Sequence, residues 1–580
     1  MLQMEFLKQL WRNCLRQSWL EQVPHTASTE TKTVVISVKP KSKPSQQVEY
    51  TEIDLPTISF AEKLQTSLVK WAQTSLCVTS SIDKQQFYKH VYALLGNVAL
   101  KPEVVESAIQ GISNEKADPK VLFGKLEDFY RRWCDGEFID AAPDNNLPQK
   151  QMLQFQAENI AVGLRKVDIN TGLNVMILLL ELHRFFREKN QEQNQEKNNQ
   201  PQSEITFYSS GKPDSDNFFT SKLLRVINYS DSIEVGNFSN VVGEFLRGAF
   251  LENVYLGDAN LTDANFSNAD LSGAYLGDAN LTGIQANKVK LSHANLGDAN
   301  LSGADLREAQ LTHCDLTHCN LSGVDLSGAD LSGADLSDAN LAGANLAGAN
   351  LAGANLTNVN LRDAALSGAN LQNTILFGAN LSDATLIGVE MSYADLCRAD
   401  LSGVNLRGST LRGTNLSDSI LFGTNFTEAI LLAADLSYAK LNGANLNSAN
   451  LQGAIILGAD LGGVDLGKVI LSEADLSGVT LSEADLKDAD ISDAILLGTD
   501  LSYANLYNAN LSGSNLSGAI FSGADLRHTN LSYAILDGTD LSEANLENTT
   551  WNENLEWENV RGLDKAVNIP ICLKEKFKLS

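Results

Sequence analysis

The chain has 580 residues, is 43% hydrophobic and carries a formal net charge of −27, a length that could hold several ordinary domains. Its seven cysteines (Cys14, Cys77, Cys134, Cys314, Cys319, Cys397 and Cys572) are odd in number and scattered, which excludes a disulfide framework and fits a reducing compartment. No apolar run approaches the roughly 20 residues of a membrane helix; the longest, Val175 to Leu180, sits inside a helical pattern.

In chain order, residues 1–20 lack a continuous apolar segment and a small-residue cleavage site, so no signal peptide is expected and the location is read as cytoplasmic. A strand-like stretch, Val34 to Val38, leads into a basic loop with Lys39, Lys41 and Lys43. Residues 1–190 read as a mostly helical module: Phe60, Leu64 and Leu68 recur at a spacing of four, and Leu122, Leu126 and Phe129 at four and three. Residues 191–217 open on a run rich in Asn, Gln and Glu and read as a polar linker, a flexible tether. Residues 218–245 are expected to cap the array of repeats that begins at 246, because an open repeat end exposes apolar core and backbone edge. Residues 551–580, with Trp551, Trp557 and the tail from Gly562, are expected to cap the other end.

Between them, residues 246–550 are periodic. From Leu246 to Leu546 every fifth residue gives 61 positions, of which 54 are Leu; the others are Phe266, Ala286, Met391, Phe426, Ile456, Ile491 and Phe521. Two residues earlier sits a small side chain, usually Ala, on the same face of an extended backbone. After each large residue Ser and then Gly are common, which allows a turn. One such side cannot bury its Leu alone, so sides must stack. LGDANL at 256–261, 276–281 and 296–301 sets a period of twenty, or four sides per coil. On that phase Asn260, Asn280, Asn300, Asn320, Asn340, Asn360 and Asn380 form a ladder able to hydrogen-bond along the stack. The expected fold is mainly β, a four-sided parallel β-helix of about fifteen coils, preceded by the helical module. Ala286, the one small residue at a large site, follows Ile284 at a small site, a volume exchange that a filled interior requires.

The gapless A(D/N)LxG pattern resembles the pentapeptide-repeat family, which implies a right-handed quadrilateral β-helix. TGLNVMILLLELHRFFREKN (171–190) is similar to modules that precede such repeats in cyanobacterial proteins of unassigned function. Some family members block DNA topoisomerases by mimicking duplex DNA, so the resemblance makes a DNA-mimic regulator of a topoisomerase or another DNA-binding protein the alternative function.

Several constellations invite chemistry. In LTHCDLTHCN, Cys314 and Cys319 take small inward positions while His313 and His318 point outward on different sides, so they cannot close a metal tetrahedron; His293 stacks one coil from His313. Asp305 with Asp325, Asp315 with Asp335 and Asp465 with Asp485 stack one coil apart, a spacing like the paired carboxylates of retaining glycosidases. They lie on exposed sides without clustered Arg, Lys or aromatic neighbours, and read as solvated surface. No nucleophile elbow, phosphate loop or zinc motif occurs. No catalytic, cofactor-binding or metal residue is therefore assigned, and no cofactor is expected.

Residues 246–550 contain 36 acidic and 12 basic side chains. Acids just before the large residue divide five, four, five and four among the sides, whereas mimicry would concentrate them on one face. Direct nucleic-acid binding by such a rod would be repelled. An apolar stripe is the more specific signal: Ile455, Ile495 and Ile535 share one side, with Leu457 and Leu497 beside them and Ile375 and Phe377 further up. The expectation is a non-enzymatic protein–protein interaction or scaffold protein, a rigid acidic rod whose stripe meets another protein or a second copy.

Overall fold

A computed structural model describes residues 55–73, 81–114, 117–196, 205–213, 215, 218–552, 559–571 and 574–575. The strand and basic loop expected at 34–44, and Trp557, lie outside the described residues. Among the described residues eight α-helices precede the repeats: α1 Leu55–Gln73, α2 Ser81–Leu95, α3 Pro102–Asn114, α4 Pro119–Cys134, α5 Leu147–Ala157, α6 Leu164–Glu196, α7 Lys222–Asp231 and α8 Asn237–Val242. Among them no helix is long and apolar enough to cross a membrane.

Local chemistry starts these helices where they start. Asp118 caps α4 by accepting from the Lys120 amide at 2.9 Å, with Pro119 at the first helical position. Asn146 caps α5 in the same way through the Gln149 amide at 2.8 Å. α4 buries Leu122, Leu126 and Phe129, the residues whose spacing marked it, and adds Tyr130 and Trp133. α6 is buried all round from Leu173 to Leu182, so the other helices pack about it. Gly172 lets α6 pass Trp133; a Cβ there would collide with the indole.

One buried carboxylate ties four of these helices together. Asp168 on α6 accepts from the Tyr92 hydroxyl of α2 at 2.6 Å, the Trp133 indole N–H of α4 at 3.1 Å and the Tyr229 hydroxyl of α7 at 3.0 Å. Burial outweighs those three donors and pushes its pKa up to about 6.

The module packs directly against the repeats. α6 continues to Glu196, past the boundary expected at 190, and Tyr208, inside the expected linker, already forms a parallel bridge to Phe250. The two rings stack 5.6 Å apart, with His183 edge-on to Phe250 at 4.9 Å and the Arg187 guanidinium 5.2 Å from the same ring. Glu106 on α3 pairs with Arg184 of α6 at 3.4 Å and Arg247 of the first coil at 3.6 Å. Phe238, Val242 and Phe245 plug the open end. Edge amides there find acceptors too, Tyr255 on the Thr220 carbonyl and Asn265 on that of Gly243.

The repeat region is a β-helix. Its ladders are single-residue parallel bridges between positions twenty apart, four series in all, rather than multi-residue strands. Five residues per side leave only one bridging residue between corners. At nearly every corner the small residue's amide donates to the preceding large residue's carbonyl, as Ala249 to Leu246 at 3.1 Å. The residue two past the large one takes positive φ, Gly at many sides and Asp, Asn, His or Tyr at others, as a type II turn requires. The ladder does not stop at 550: Asp540 bridges Arg561 and Asn545 bridges Val567, so the tail adds part of a coil. Ile284 and Ala286 are both fully enclosed. A narrow void beside them has a counterpart among Leu436 to Leu481, where no exchange occurs, so it is not a consequence of the swap.

The helical module gives two expected outcomes. Gly172→Ala should cost about 1–3 kcal/mol in urea unfolding followed by tryptophan fluorescence. Because the folded-state pKa of Asp168 is raised, the native chain holds a proton that the unfolded chain releases. Stability should therefore fall as pH rises from about 4 to about 6 and level off above, and Asp168→Asn should flatten that slope.

Candidate interaction surface

The surface of the rod is set by how each pentapeptide satisfies its five amides. The large residue donates to the outward residue of the next coil, as Leu251 to Asp270 at 2.7 Å; that residue donates back to the small one, as Asp270 to Ala249 at 2.9 Å. The second corner residue donates up the stack, as Asn253 to Ser272 at 2.9 Å, and the small residue closes the turn. That leaves the first corner residue. Its amide is met by the side chain of the outward residue two places earlier: Ser477 donates to Asp475 Oδ1 at 3.0 Å, and Ser517 to Asn515 Oδ1 at 3.2 Å. The Ser hydroxyl often adds a second bond, 2.6 Å in the case of Ser477. This is an Asx motif, and it explains why Asp or Asn precedes so many of the large residues. Inward Ser, Thr and Cys are satisfied as well: Thr499 donates to the Leu476 carbonyl at 2.8 Å and Ser514 to that of Ile491 at 2.6 Å.

The acids at this position are thus part of the backbone scheme rather than free surface, a signal that alternating Asx and Ser carried in the sequence. Each of the stacked pairs Asp305/Asp325, Asp315/Asp335 and Asp465/Asp485 bridges one coil apart, and every member accepts the amide two residues on. One pair does have a cation beside it. Arg307 bonds Asp305 through two nitrogens, at 2.8 and 2.6 Å, and approaches Asp325 at 4.0 Å. That hydrogen bond holds the Asp305 carboxyl below the usual carboxylate range, the opposite of what a general acid needs.

The seven ladder asparagines fall in one bridge series. Asn320, Asn340 and Asn360 each donate to the asparagine one coil before, at 3.0, 3.4 and 2.9 Å, while Asn300 donates to Thr282 instead. Asn260, Asn280 and Asn380 accept from the corner residue two places on. Cys314 and Cys319 are buried, each sulfur facing a carbonyl (Leu291 and Leu296), and burial pushes both thiols up to about 12. His293 and His313 stack with centroids 5.3 Å apart and planes 13° from parallel.

Ile375, Phe377, Ile455, Leu457, Ile495, Leu497 and Ile535 are each 36–47% exposed. The isoleucines occupy one bridge series, in which Ile455, Asp475, Ile495, Asn515 and Ile535 are successive rungs. Phe377 has a partner of its own, the Arg398 guanidinium 5.8 Å from its ring centroid. An isoleucine cannot accept the corner amide, so among the described residues the amides of Leu457 and Leu497 have no protein acceptor. The rungs at Ile455 and Ile495 therefore each expose two hydrocarbon side chains and give up a hydrogen bond that the Asx rungs on either side keep. Beside the stripe, the corner residues Gly458, Gly478, Gly498, Gly518 and Gly538 succeed one another for five coils, all at positive φ. Sequence reasoning missed this bare corner. It also missed Ile430 and Ile470, exposed on another side, and the exposed corner tyrosines Tyr393, Tyr438 and Tyr503. Each tyrosine leans over a glycine one coil on, and a Cβ at Gly458 would fall 2.8 Å from the Tyr438 ring. Tyr with Gly twenty residues later was the available signal.

A continuous four-sided β-helix of five-residue sides, acidic and without a clustered catalytic or metal-ligating set among the described residues, defines a class of repeat protein. The profile described as Pentapeptide repeats (8 copies) matches successive segments from residue 246 to residue 548. The chain belongs to the pentapeptide-repeat family. Among solved structures it is similar to HetL, a pentapeptide repeat protein involved in heterocyst differentiation regulation from the cyanobacterium Nostoc sp. strain PCC 7120. The two are 33% identical over 43% of this chain and 89% of that one, with a TM-score of 0.17. It is also similar to trypsin-treated QnrB1, a plasmid-mediated fluoroquinolone resistance protein (20% identity, 37% and 96% coverage, TM-score 0.24), and to Rfr23 from the cyanobacterium Cyanothece 51142 (27%, 27% and 91%, 0.09). No curated protein matches.

The amide scheme predicts opposite effects at neighbouring rungs. Asp475→Ala should lower rod stability by about 0.5–1.5 kcal/mol and Asp475→Asn by much less. Ile495→Asn should raise it, read as a melting temperature by circular dichroism.

Proposed function

We propose that the chain is a non-enzymatic interaction protein. In this reading its right-handed, four-sided β-helix of about fifteen coils, on the order of 70 Å long, presents the Ile455–Ile535 stripe to a second copy of itself. The observation that carries the reading is the double cost at each apolar rung, exposed hydrocarbon and a forfeited backbone hydrogen bond, on a surface where Asp or Asn would remove both.

The order of rungs favours self-pairing. In an antiparallel pair about Ile495, Ile455 meets Ile535 of the other copy, and Asp475 meets Asn515, an acceptor against an amide donor instead of two like charges. From Gly478 to Gly538 the glycine corner carries no side chain beside the stripe. The heavy negative charge is spread over all four sides, which favours solubility over imitation of a duplex.

Ile495→Cys tests this directly, since a residue on a two-fold axis lies opposite itself. Mild oxidation should give a disulfide-linked dimer that the wild-type chain, treated identically, does not. Ile455→Lys with Ile495→Lys should leave a monomer by light scattering. A wild-type mass of one chain at high concentration, with no cross-link, would sink the reading.

A further inference from the structure

The bases of the rod are not spread as its outward acids are. Of the twelve Lys and Arg side chains in residues 246–550, seven stand on one corner of the square: Arg247, Lys288, Arg307, Arg407, Lys468, Lys487 and Arg527. That corner follows the bridge series of Asn265, Gln285 and Asp305. Each of the other three corners holds one base, Arg362, Arg398 or Arg412. The diagonally opposite corner, two sides on, follows the series of Tyr255, Tyr275 and Asn295 and holds six acids, more than any other corner. The rod thus has a basic edge and an acidic edge on opposite sides of its axis.

The two edges carry matching rows in different halves of the rod. On the basic edge, Lys468, Lys487 and Arg527 take the first, second and fourth of four successive coils, with Tyr507 in the third. The Lys487 ammonium and the Arg527 guanidinium lie 5.8 and 5.5 Å from the centroid of the Tyr507 ring. Lys468 and Lys487 are exposed. Among the described residues Arg527 alone of the three cations pairs with a carboxylate, that of Asp525 at 2.6 Å. On the acidic edge, Asp278, Asp298 and Asp338 take the first, second and fourth of four successive coils, with His318 in the third. All four are exposed second-corner residues at positive φ. They stand outside the amide scheme that occupies the outward aspartates. Asp338 accepts from the Asn358 side chain at 3.2 Å, and none of the three is ion-paired among the described residues.

Both rows rise by the same distance per coil, so they fit one another in register. Two parallel copies displaced by the 190 residues between Asp278 and Lys468, about 45 Å along the axis, set Lys468 on Asp278, Lys487 on Asp298 and Arg527 on Asp338. Tyr507 then meets His318. Antiparallel rows would instead put Lys487 on His318 and Tyr507 on Asp298.

We propose that the basic edge from Lys468 to Arg527 docks on the acidic edge from Asp278 to Asp338 of a second copy of this chain, parallel and staggered. The two patches differ, so the contact does not close, and copies add one after another into an open, stepped row. No stripe residue takes part, so the contact stands independently of the self-pairing reading. At about 0.1 M salt the screening length is about 10 Å, which limits the repulsion between two acidic rods largely to the seam, where the charges are opposite. Exposed ion pairs are individually weak and screened by salt, whereas apolar stripe pairing persists at about 1 M salt, where tests of the stripe are read.

The full chain with Ile455→Lys and Ile495→Lys, which cannot pair through the stripe, isolates this contact whether or not the stripe reading holds. In sedimentation at about 0.1 M salt its average mass should rise with concentration towards about 0.5 mM, and at about 1 M salt it should stay that of one chain. Adding Lys468→Glu with Lys487→Glu should weaken the association by about tenfold or more, and so should adding Asp278→Lys with Asp298→Lys. Mixed in equal amounts, those two variants should regain it, because every seam between unlike chains again sets opposite charges together. Both should melt within a few degrees of the parent, and Lys468→Gln with Lys487→Gln, a milder change that also weakens the contact, covers a reversal that fails to fold. A mass of one chain throughout at about 0.1 M salt, association unchanged by the substitutions, or a mixture that stays apart would each overturn the proposal.

Discussion

The hydrogen bond from each large inward residue to the outward residue of the next coil holds the whole rod together. Leu251 donating to the Asp270 carbonyl at 2.7 Å is one instance of a contact repeated up all four sides. It fixes the twenty-residue coil and stacks the bridge series. It also turns the side chain of the large residue inward, where neighbours above and below complete its burial. With one bridging residue per side, it shares the load with two other bonds between coils, the return donation to the small residue and the second corner residue's donation up the stack. Small inward residues, positive-φ corners and Asx side chains are all adjustments around that bond.

The fifth amide of each side links this scheme to function. It can be met by an Asx side chain or left to water, and the choice is made rung by rung. Where Asp or Asn stands, as at 435, 475 and 515, the surface is polar and self-satisfied. Where Ile stands, at 375, 455, 495 and 535, it is apolar and one bond short. Stability alone favours the first arrangement, and the repeated departure on this side is what the self-pairing proposal rests on. The same reasoning removes meaning from the stacked aspartates, which the backbone already uses.

Much of this was legible in the sequence because a period of five, unlike a helical or strand period, assigns every residue an inside or an outside. Cys314 and His313 could be separated by counting alone, and the seven stripe residues and ladder asparagines could be placed on their sides. The Asx bond was harder to see, since an exposed aspartate and one that accepts a local amide have the same composition and spacing. The packed junction was hidden for a different reason. The Asn- and Gln-rich run after Lys189 carries the signature of a tether, yet α6 enters it and the chain beyond forms the ladder's first rung at Tyr208.

Residue-resolved hydrogen exchange on the chain at low concentration tests the amide accounting most directly. The account predicts that the amides of Ser437, Ser477 and Ser517 are protected while those of Leu457 and Leu497, one rung away, exchange rapidly. Equal protection at all five would show that the apolar rungs give up nothing, and would contradict the claim that isoleucine stands there for contact.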